Sequence, residues 1–311
     1  MKYKILEMLE TDKYVSGEEI SKQLGISRNA VWKHINALRK MGCGIESIPS
    51  KGYRLTERLD IINPQLLQKY VPGKVYYYES VDSTNAACKR EEDVADRSLF
   101  ISDTQTGGRG RLGRKWSSPK GCSVFMSICL QPDIAVEKVS QLTLVAGMAV
   151  CRAIRASRIK WPNDVLIGDK KVCGILTEMT AEMDRVNRVV VGIGINVNNE
   201  AFTVDLVEKA TSIYRETGKR YSRNKLICDI LEEFWALYDK FLKKGFSALK
   251  REYSLKCITT GRQVVIIKNG KEFEAYAADV DENGGLIIEH NGRRETVTSG
   301  EVSVRGLLGY N

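Results

Sequence analysis

The stretch Ser16-Gly17-Glu18-Glu19 leaves its segment little conformational choice, because a serine followed three residues later by a glutamate is the signature of a helix start. The serine hydroxyl accepts from a backbone N–H that the first helical turn would otherwise strand. The helix it opens turns Ile20 and Leu24 inward, and Gly25 makes the tight turn in "LGIS". Ser27 then caps a second helix, "RNAVWKHINALRKMG", in which Val31, Ile35 and Leu38 recur at the spacing of one face and Gly42 stops the run. Beyond it "CGIESIPSKGYRL" reads as two short strands around "PSKG". Helix, short turn, helix and ribbon together restrict residues 1–60 to a winged helix-turn-helix.

The charge of that segment narrows its partners. Residues 21–58 hold eight Lys/Arg against two acids, Glu46 and Glu57, within a chain of formal net charge +9. A basic helix-turn-helix with a wing is built to read duplex DNA, although a helical docking module uses some of the same parts. Ser27, Arg28, Asn29 and Lys33 fall at the start of the second helix, where side chains enter a major groove, and Lys51 and Arg54 lie on the wing for phosphates. Trp32 is left between two roles, packing against the first helix or touching a base.

The rest of the chain changes period. Residues 61–258 mix strand-like runs ("SLFISD", "CSVFMSICL", "RVVVGIGINV") with helical ones. In "VEKVSQLTLVAGMAVCRAI" the residues Val139, Leu142, Ala146, Ala149 and Ala153 form one stripe, as do Leu226, Ile230, Phe234, Leu237 and Phe241 in "NKLICDILEEFWALYDKFLKK". From 259 to 311, short runs separated by "KNGK", "DENGG" and "HNGR" predict a small antiparallel barrel without a catalytic set. The fold class is therefore α+β in three parts. The eight cysteines are scattered without a C-x-x-C pair and there are two histidines, so no metal site is expected. No apolar stretch suits a signal peptide or a membrane span, and a reducing cytoplasm is the expected compartment.

Two stretches carry the chemistry. "TQTGGRGRLGRKWSSPKG", residues 104–121, threads Arg109, Arg111, Arg114 and Lys115 between Gly107, Gly108, Gly110 and Gly113. A segment both loose and cationic is costly to order unless an anion orders it, yet a solvated basic loop has the same composition. It lacks the Gly-Lys-Ser/Thr helix opening of a P-loop. "KWPNDVLIGDKKVCGIL", residues 160–176, reads as a turn at Pro162 and Asn163 and then a hairpin joined at "GDKK". Lys160 and Lys171 flank it, and with the arginines they would suit a phosphorylated or carboxylated ligand.

"GGRGRLGRKW", "KWPNDVL…KKVCGIL" and "VVVGIGINV", in that order, resemble the biotin–protein ligase family, and the helix-turn-helix makes the chain similar to its bifunctional ligase and biotin-operon repressor members. The resemblance spans nearly the whole chain and implies a central α/β ligase domain (61–258) and an SH3-like C-terminal barrel (259–311). It implies a reaction in which biotin and MgATP give biotinyl-5′-AMP, whose biotin passes to a lysine of a biotin carboxyl carrier domain. The motif positions put Ser83, Thr84, Asn85, Gln105, Arg109, Gly110, Gly174 and Gly194 at biotin. Arg111 and Lys171 fall at the reacting carboxylate and phosphate. Arg114, Trp116, Lys160, Asn163, Asp164 and Asn196, with Arg111, fall on the nucleotide side, Trp116 being the candidate to cover adenine. No side-chain nucleophile is required, so Ser117, Ser118 and Cys122 read as structural. Gly107-Gly108 replaces an Ala-Gly common in relatives. The same resemblance implies biotinyl-5′-AMP as corepressor, operator DNA as partner and a homodimer in the adenylate-bound form. A lipoate–protein ligase and a biotin-sensing transcription factor without turnover remain as alternatives.

Overall fold

The helix starts written into the N-terminal sequence are the ones the chain uses. In the computed structural model, which describes residues 1–9, 11, 13–40, 42–57, 60–182, 185–268, 270–299 and 302–306, α1 (Lys2–Leu9) precedes α2 (Gly17–Leu24) and α3 (Arg28–Lys40). Ser16 Oγ accepts from the Glu19 N–H at 3.0 Å, and Ser27 Oγ accepts from the Ala30 N–H at 3.2 Å. Gly25 ends α2 at φ +64°, left-handed backbone that glycine enters without steric cost. Val31, Ile35 and Leu38 are buried against Ile5, Leu9 and Ile20. β1 (Gly44–Ile48) and β2 (Gly52–Glu57) form the ribbon. Val15 pairs with Tyr53 beside it through backbone bonds of 2.8 and 2.9 Å. Gly52 permits that approach, since a Cβ there would stand 2.2 Å from the Val15 carbonyl oxygen. Met41, at the end of the predicted second helix, and Glu301 and Leu307, in the last predicted strand, lie outside the described residues.

The chain divides into two units after Gln65, with a single helical turn, α4 (Pro64–Leu67), at the division. The second unit is built on seven strands: β3 (Val75–Tyr78), β4 (Ser98–Ser102), β5 (Ser123–Leu130), β6 (Ser157–Lys160), β7 (Asp164–Ile167), β8 (Lys170–Glu182) and β9 (Arg185–Asn196). Their order is β3-β4-β5-β9-β8-β7-β6. Only β3 and β4 run parallel; the other pairs are antiparallel. Between β3 and β4 comes α5 (Thr84–Arg90), and between β5 and β6 comes α6 (Val139–Ala153).

Alternation along the strands separates the two faces of the sheet. Met126, Ile175 and Ile193 stand level in neighbouring strands on the face where Thr143 of α6 bonds Thr177 of β8 at 2.8 Å. Phe125, Gly174 and Gly194 stand level on the opposite face. The sequence predicts one apolar stripe on α6, ending in Ala153. Instead α6 is buried on every side from Gln141 to Cys151, while Ala153 is half-buried. The cause is a second layer: α6 packs on the sheet with one side and on α8 (Arg223–Lys244) with the other, and α9 (Ser247–Lys256) touches it too. A helix sandwiched in this way has no solvent face to make it amphipathic. The short α7 (Ile213–Thr217) precedes α8.

The tail folds as five antiparallel strands, β10 (Arg262–Lys268), β11 (Lys271–Val280), β12 (Leu286–His290), β13 (Arg293–Val297) and β14 (Val302–Gly306), in the order β13-β12-β11-β10-β14. Val264, Ile266, Ala277, Leu286 and Ile288 fill its interior. Trp161, at the turn between β6 and β7, pins this barrel to the central sheet. Its backbone N–H donates to Thr259 Oγ1 at 2.9 Å and its indole Nε1 to the Gly284 carbonyl at 3.0 Å. Among the described residues no helix is long and apolar enough to cross a membrane.

Candidate active site and nucleic-acid interface

Strand register puts glycines where side chains would otherwise fill the open face of the sheet. Gly174 of β8 lies directly opposite Gly194 of β9, and Gly192 follows one alternation along β9. A Cβ on Gly192 would stand 2.2 Å from Asn85 Oδ1, and one on Gly194 would stand 2.7 Å from the Trp116 indole. These glycines floor a narrow cleft walled by Ser83, Thr84, Asn85, Gln105, Arg109 and Trp116. Ser83 caps α5, which turns Thr84 and Asn85 into the cleft. Gln105 is fixed on the other wall, its Oε1 accepting from the Thr84 N–H at 2.8 Å and its Nε2 donating to Ser118 Oγ at 3.3 Å.

The glycine–arginine loop closes on itself through backbone bonds. Trp116 N–H donates to the Gly108 carbonyl at 3.0 Å and Gly110 N–H to the Arg114 carbonyl at 2.7 Å, so the segment folds back on itself as a small hairpin. Leu112 and Gly113 turn its tip at φ +57° and +72°. Gly108 is enclosed, since a Cβ would meet Ser118 Oγ and the Trp116 carbonyl at 2.9 Å. Within the segment that the sequence reads as loose and cationic, these backbone bonds define a hairpin. The hairpin lays the Trp116 indole over Gly174 and Gly194. There its Nε1–H is enclosed with no acceptor among the described residues.

The cleft opens into a larger cavity of about 620 Å³, lined by Arg114, Trp116, Lys160, Asn163, Asp164, Lys171 and Asn196. Arg111 and Lys171 stand where the two meet, and both line each of them. Lys171 Nζ is 2.6 Å from Asp164 Oδ1 and 5.3 Å from the Trp116 ring centroid. Arg111 donates to Asn163 Oδ1 at 3.2 Å and to the backbone carbonyls of Ser299 at 2.5 Å and Val302 at 3.2 Å. Its guanidinium thus rests on neutral oxygens, and burial lowers its pKa while Asp164 opposes the shift. Asn163 is fixed through Nδ2 to the Ile175 carbonyl at 3.1 Å. Asn196 is fixed through Nδ2 to the Thr211 carbonyl at 3.0 Å.

All the residues predicted for biotin and nucleotide therefore gather around these two joined spaces. Sequence reasoning missed Gly192, although its alternation with Gly194 in "VGIGINV" is a visible signal. It also missed Phe202 and Leu206 on the far wall of the larger cavity, and the barrel carbonyls that hold Arg111.

On the first unit, Arg28, Asn29, Trp32 and Lys33 are exposed along α3. Trp32 is 56% exposed and so is not the packing residue that one reading of the sequence made it. Two of the predicted cations already have partners: Arg28 pairs with Glu18, and Arg54 pairs with Glu46 at 2.9 Å across the ribbon. Lys51 is exposed at the wing tip, and Ser27 is occupied as the helix cap.

Comparison with known proteins covers the same three regions. Residues 77–196 match the biotin/lipoate A/B protein ligase family, residues 2–54 an HTH domain, and residues 259–305 the biotin protein ligase C terminal domain. The bifunctional ligase/repressor BirA of Bacillus spizizenii is 38% identical over 89% of each chain. That of Escherichia coli is 30% identical over 97% of this chain and 96% of its own. Among solved structures, the biotin protein ligase from Aquifex aeolicus in complex with biotin and ATP is similar with a TM-score of 0.67 and 32% identity. It covers 75% of this chain and 98% of its own.

Proposed function

Since the chain belongs to the bifunctional ligase/repressor family, we propose that it joins biotin to the α-phosphate of ATP and transfers it to a lysine of a biotin carboxyl carrier domain. One observation carries the reading: Arg111 and Lys171 stand at the junction of a narrow glycine-floored cleft and a nucleotide-sized cavity. A ligand lying on the glycines with its carboxylate at that junction meets the phosphates of a nucleotide in the larger space.

In the first step a carboxylate oxygen of biotin attacks the α-phosphorus, the bond to the bridging oxygen breaks, and pyrophosphate leaves with its Mg²⁺. Two anions meet, so the barrier is electrostatic and entropic, and fixed cations lower it by holding both reactants in place. Lys171 neutralises the carboxylate and Asp164 aims its ammonium. Arg111 exchanges the Ser299 and Val302 carbonyls for phosphate oxygens, a trade of neutral acceptors for a charged one that favours the bound state. Asn163 and Asp164 would meet the phosphates and the Mg²⁺ that the nucleotide carries, while Arg114, Lys160, Trp116 and Asn196 border the nucleotide. In the second step the acceptor amine attacks the acyl carbon, AMP departs, and the amine gives its extra proton to solvent. The hairpin over the cleft keeps water from the mixed anhydride between the steps.

The first unit binds operator DNA through Ser27, Arg28, Asn29 and Lys33, with Lys51 and Arg54 at phosphates. Biotinyl-5′-AMP acts as corepressor by favouring a DNA-binding homodimer. Incubation of the chain with biotin, MgATP and a biotin carboxyl carrier domain tests the ligase. The acceptor should gain the mass of one biotinyl group, only with ATP, and lipoate should not replace biotin. Biotin binding without any mass gain would instead identify a sensor. Salt-dependent retention of promoter duplexes in the presence of biotin and ATP tests the repressor.

A further inference from the structure

Glu178 of β8 does not line the cleft, yet the polar residues that do are aligned from it. Its Oε2 accepts from Asn85 Nδ2 at 2.7 Å, and its Oε1 receives Lys89 Nζ at 2.6 Å. Asn85 Nδ2 also donates to the Leu176 carbonyl at 3.2 Å, so both amide hydrogens are committed on the side away from Ser127. Asn85 Oδ1 is left facing Ser127 Oγ at 2.6 Å and lying against Gly192.

That arrangement has a direction. Ser127 has one hydroxyl proton, and it stands 2.6 Å from Asn85 Oδ1 and 2.7 Å from Thr84 Oγ1. With Asn85 presenting oxygen, Ser127 donates to it and accepts from Thr84. Gln105 Oε1 is then held by the Thr84 N–H. Were Asn85 to present its NH₂ instead, Ser127 would donate to Thr84, Thr84 to Gln105 Oε1 at 3.2 Å, and the row would run the other way. A carboxylate has no proton to donate, so ionised Glu178 permits only the first arrangement. Hydrogen bonds from Lys89 and Asn85 keep its pKa low despite burial.

We propose that Glu178 is a positioning residue that keeps the Asn85 carbonyl oxygen toward the cleft, so that the site accepts N–H groups of its ligand. This rests on the biotin reading above, since the cyclic urea of biotin offers such donors. The charge on Lys89 makes the idea testable by rescue. In Glu178→Gln, Lys89 claims the new amide oxygen, the new NH₂ faces Asn85 Nδ2 donor to donor, and Asn85 turns over. Removing Lys89 as well, in Lys89→Met/Glu178→Gln, frees the amide oxygen to accept from Asn85 again.

Biotin affinity without nucleotide, by titration calorimetry, and the KM and kcat of ligation are measured for wild type, both single variants and the double. Glu178→Gln should weaken biotin binding about tenfold, the cost of one mispaired buried donor, with kcat within about threefold and the KM for ATP unchanged. Lys89→Met and the double variant should both lie within about threefold of wild type. Wild-type affinity in Glu178→Gln, or a double variant as weak as Glu178→Gln, overturns the proposal. Failure of the wild-type chain itself to bind biotin overturns the reading beneath it and the proposal together.

Discussion

Replacing Lys171 by alanine should damage the reaction in two separable ways. The ammonium sits 2.6 Å from Asp164 Oδ1, and a carboxylate accepted on its other side at ~2.8 Å lies roughly 5 Å from that oxygen. With the ammonium gone the two anions face each other. At an effective dielectric of about 20 their repulsion is ~3 kcal/mol, or roughly two hundredfold in Kd before solvent screening. Asp164 is only 18% exposed in its side chain, so screening leaves most of this. The second loss is of charge stabilisation in the transition state, where one removed donor typically costs about a hundredfold to a thousandfold in kcat. The double variant Lys171→Ala/Asp164→Asn tells the two apart. Biotin affinity without nucleotide should return to within about tenfold of wild type, because the repulsion is gone. The rate of adenylate formation, followed by pyrophosphate release in a single turnover, should stay low. A Lys171→Ala enzyme forming adenylate within about threefold of the wild-type rate would remove the lysine from the mechanism. Failure of the second substitution to restore binding would show that Asp164 is not what repels the carboxylate.

The remaining predictions touch other parts of the molecule. Gly194→Ala places a methyl 2.7 Å from the Trp116 ring. It should displace the indole, lowering thermal stability by the ~1–3 kcal/mol typical of overpacking and raising the KM for biotin; an unchanged KM would show that the indole does not cover the ligand. Arg28→Ala with Lys33→Ala should abolish promoter binding in a gel-shift assay and spare ligation; retained binding would move the DNA contact off the start of α3. Asp82 has its pKa lowered to about 2 by the Arg90 guanidinium. Its share of stability is present above the ordinary carboxylate pKa and is lost as pH falls through about 2. Arg90→Ala should therefore unfold at a higher pH in acid titration, by circular dichroism, and coincident curves would refute the assignment.

How much of this was legible depended on how far apart the interacting residues lie. Ser16, Gly25 and Ser27 act on backbone a few residues away, so the helix-turn-helix was readable from local chemistry. The residues that gather around the two joined spaces could be picked out because their motifs are short and ordered along the chain. Hidden were the partners that tertiary structure supplies. The oxygens that hold Arg111 come from Ser299 and Val302, far along the chain, and no local pattern announces a carbonyl as a ligand. Glu178 reads as an ordinary polar residue in a strand until the register places it under Asn85. The envelope of α6 was misread because a stripe template assumes water on one side. The hairpin within the glycine–arginine loop was not legible because composition reports freedom in the unfolded chain, whereas its backbone bonds are made only in the folded one.

Gly174, Gly192 and Gly194 have a consequence for anyone wishing to retool the site. A ligand resting on bare backbone meets a surface with no side chain to trim, so the floor offers no substitution that makes the slot deeper. Every change there adds atoms and shrinks the slot. Acceptance of a bulkier ring or a longer acid must come from the side-chain wall, by shortening Trp116 or redrawing Gln105. Variant libraries aimed at unnatural analogues are best concentrated on those positions, leaving the strands beneath untouched.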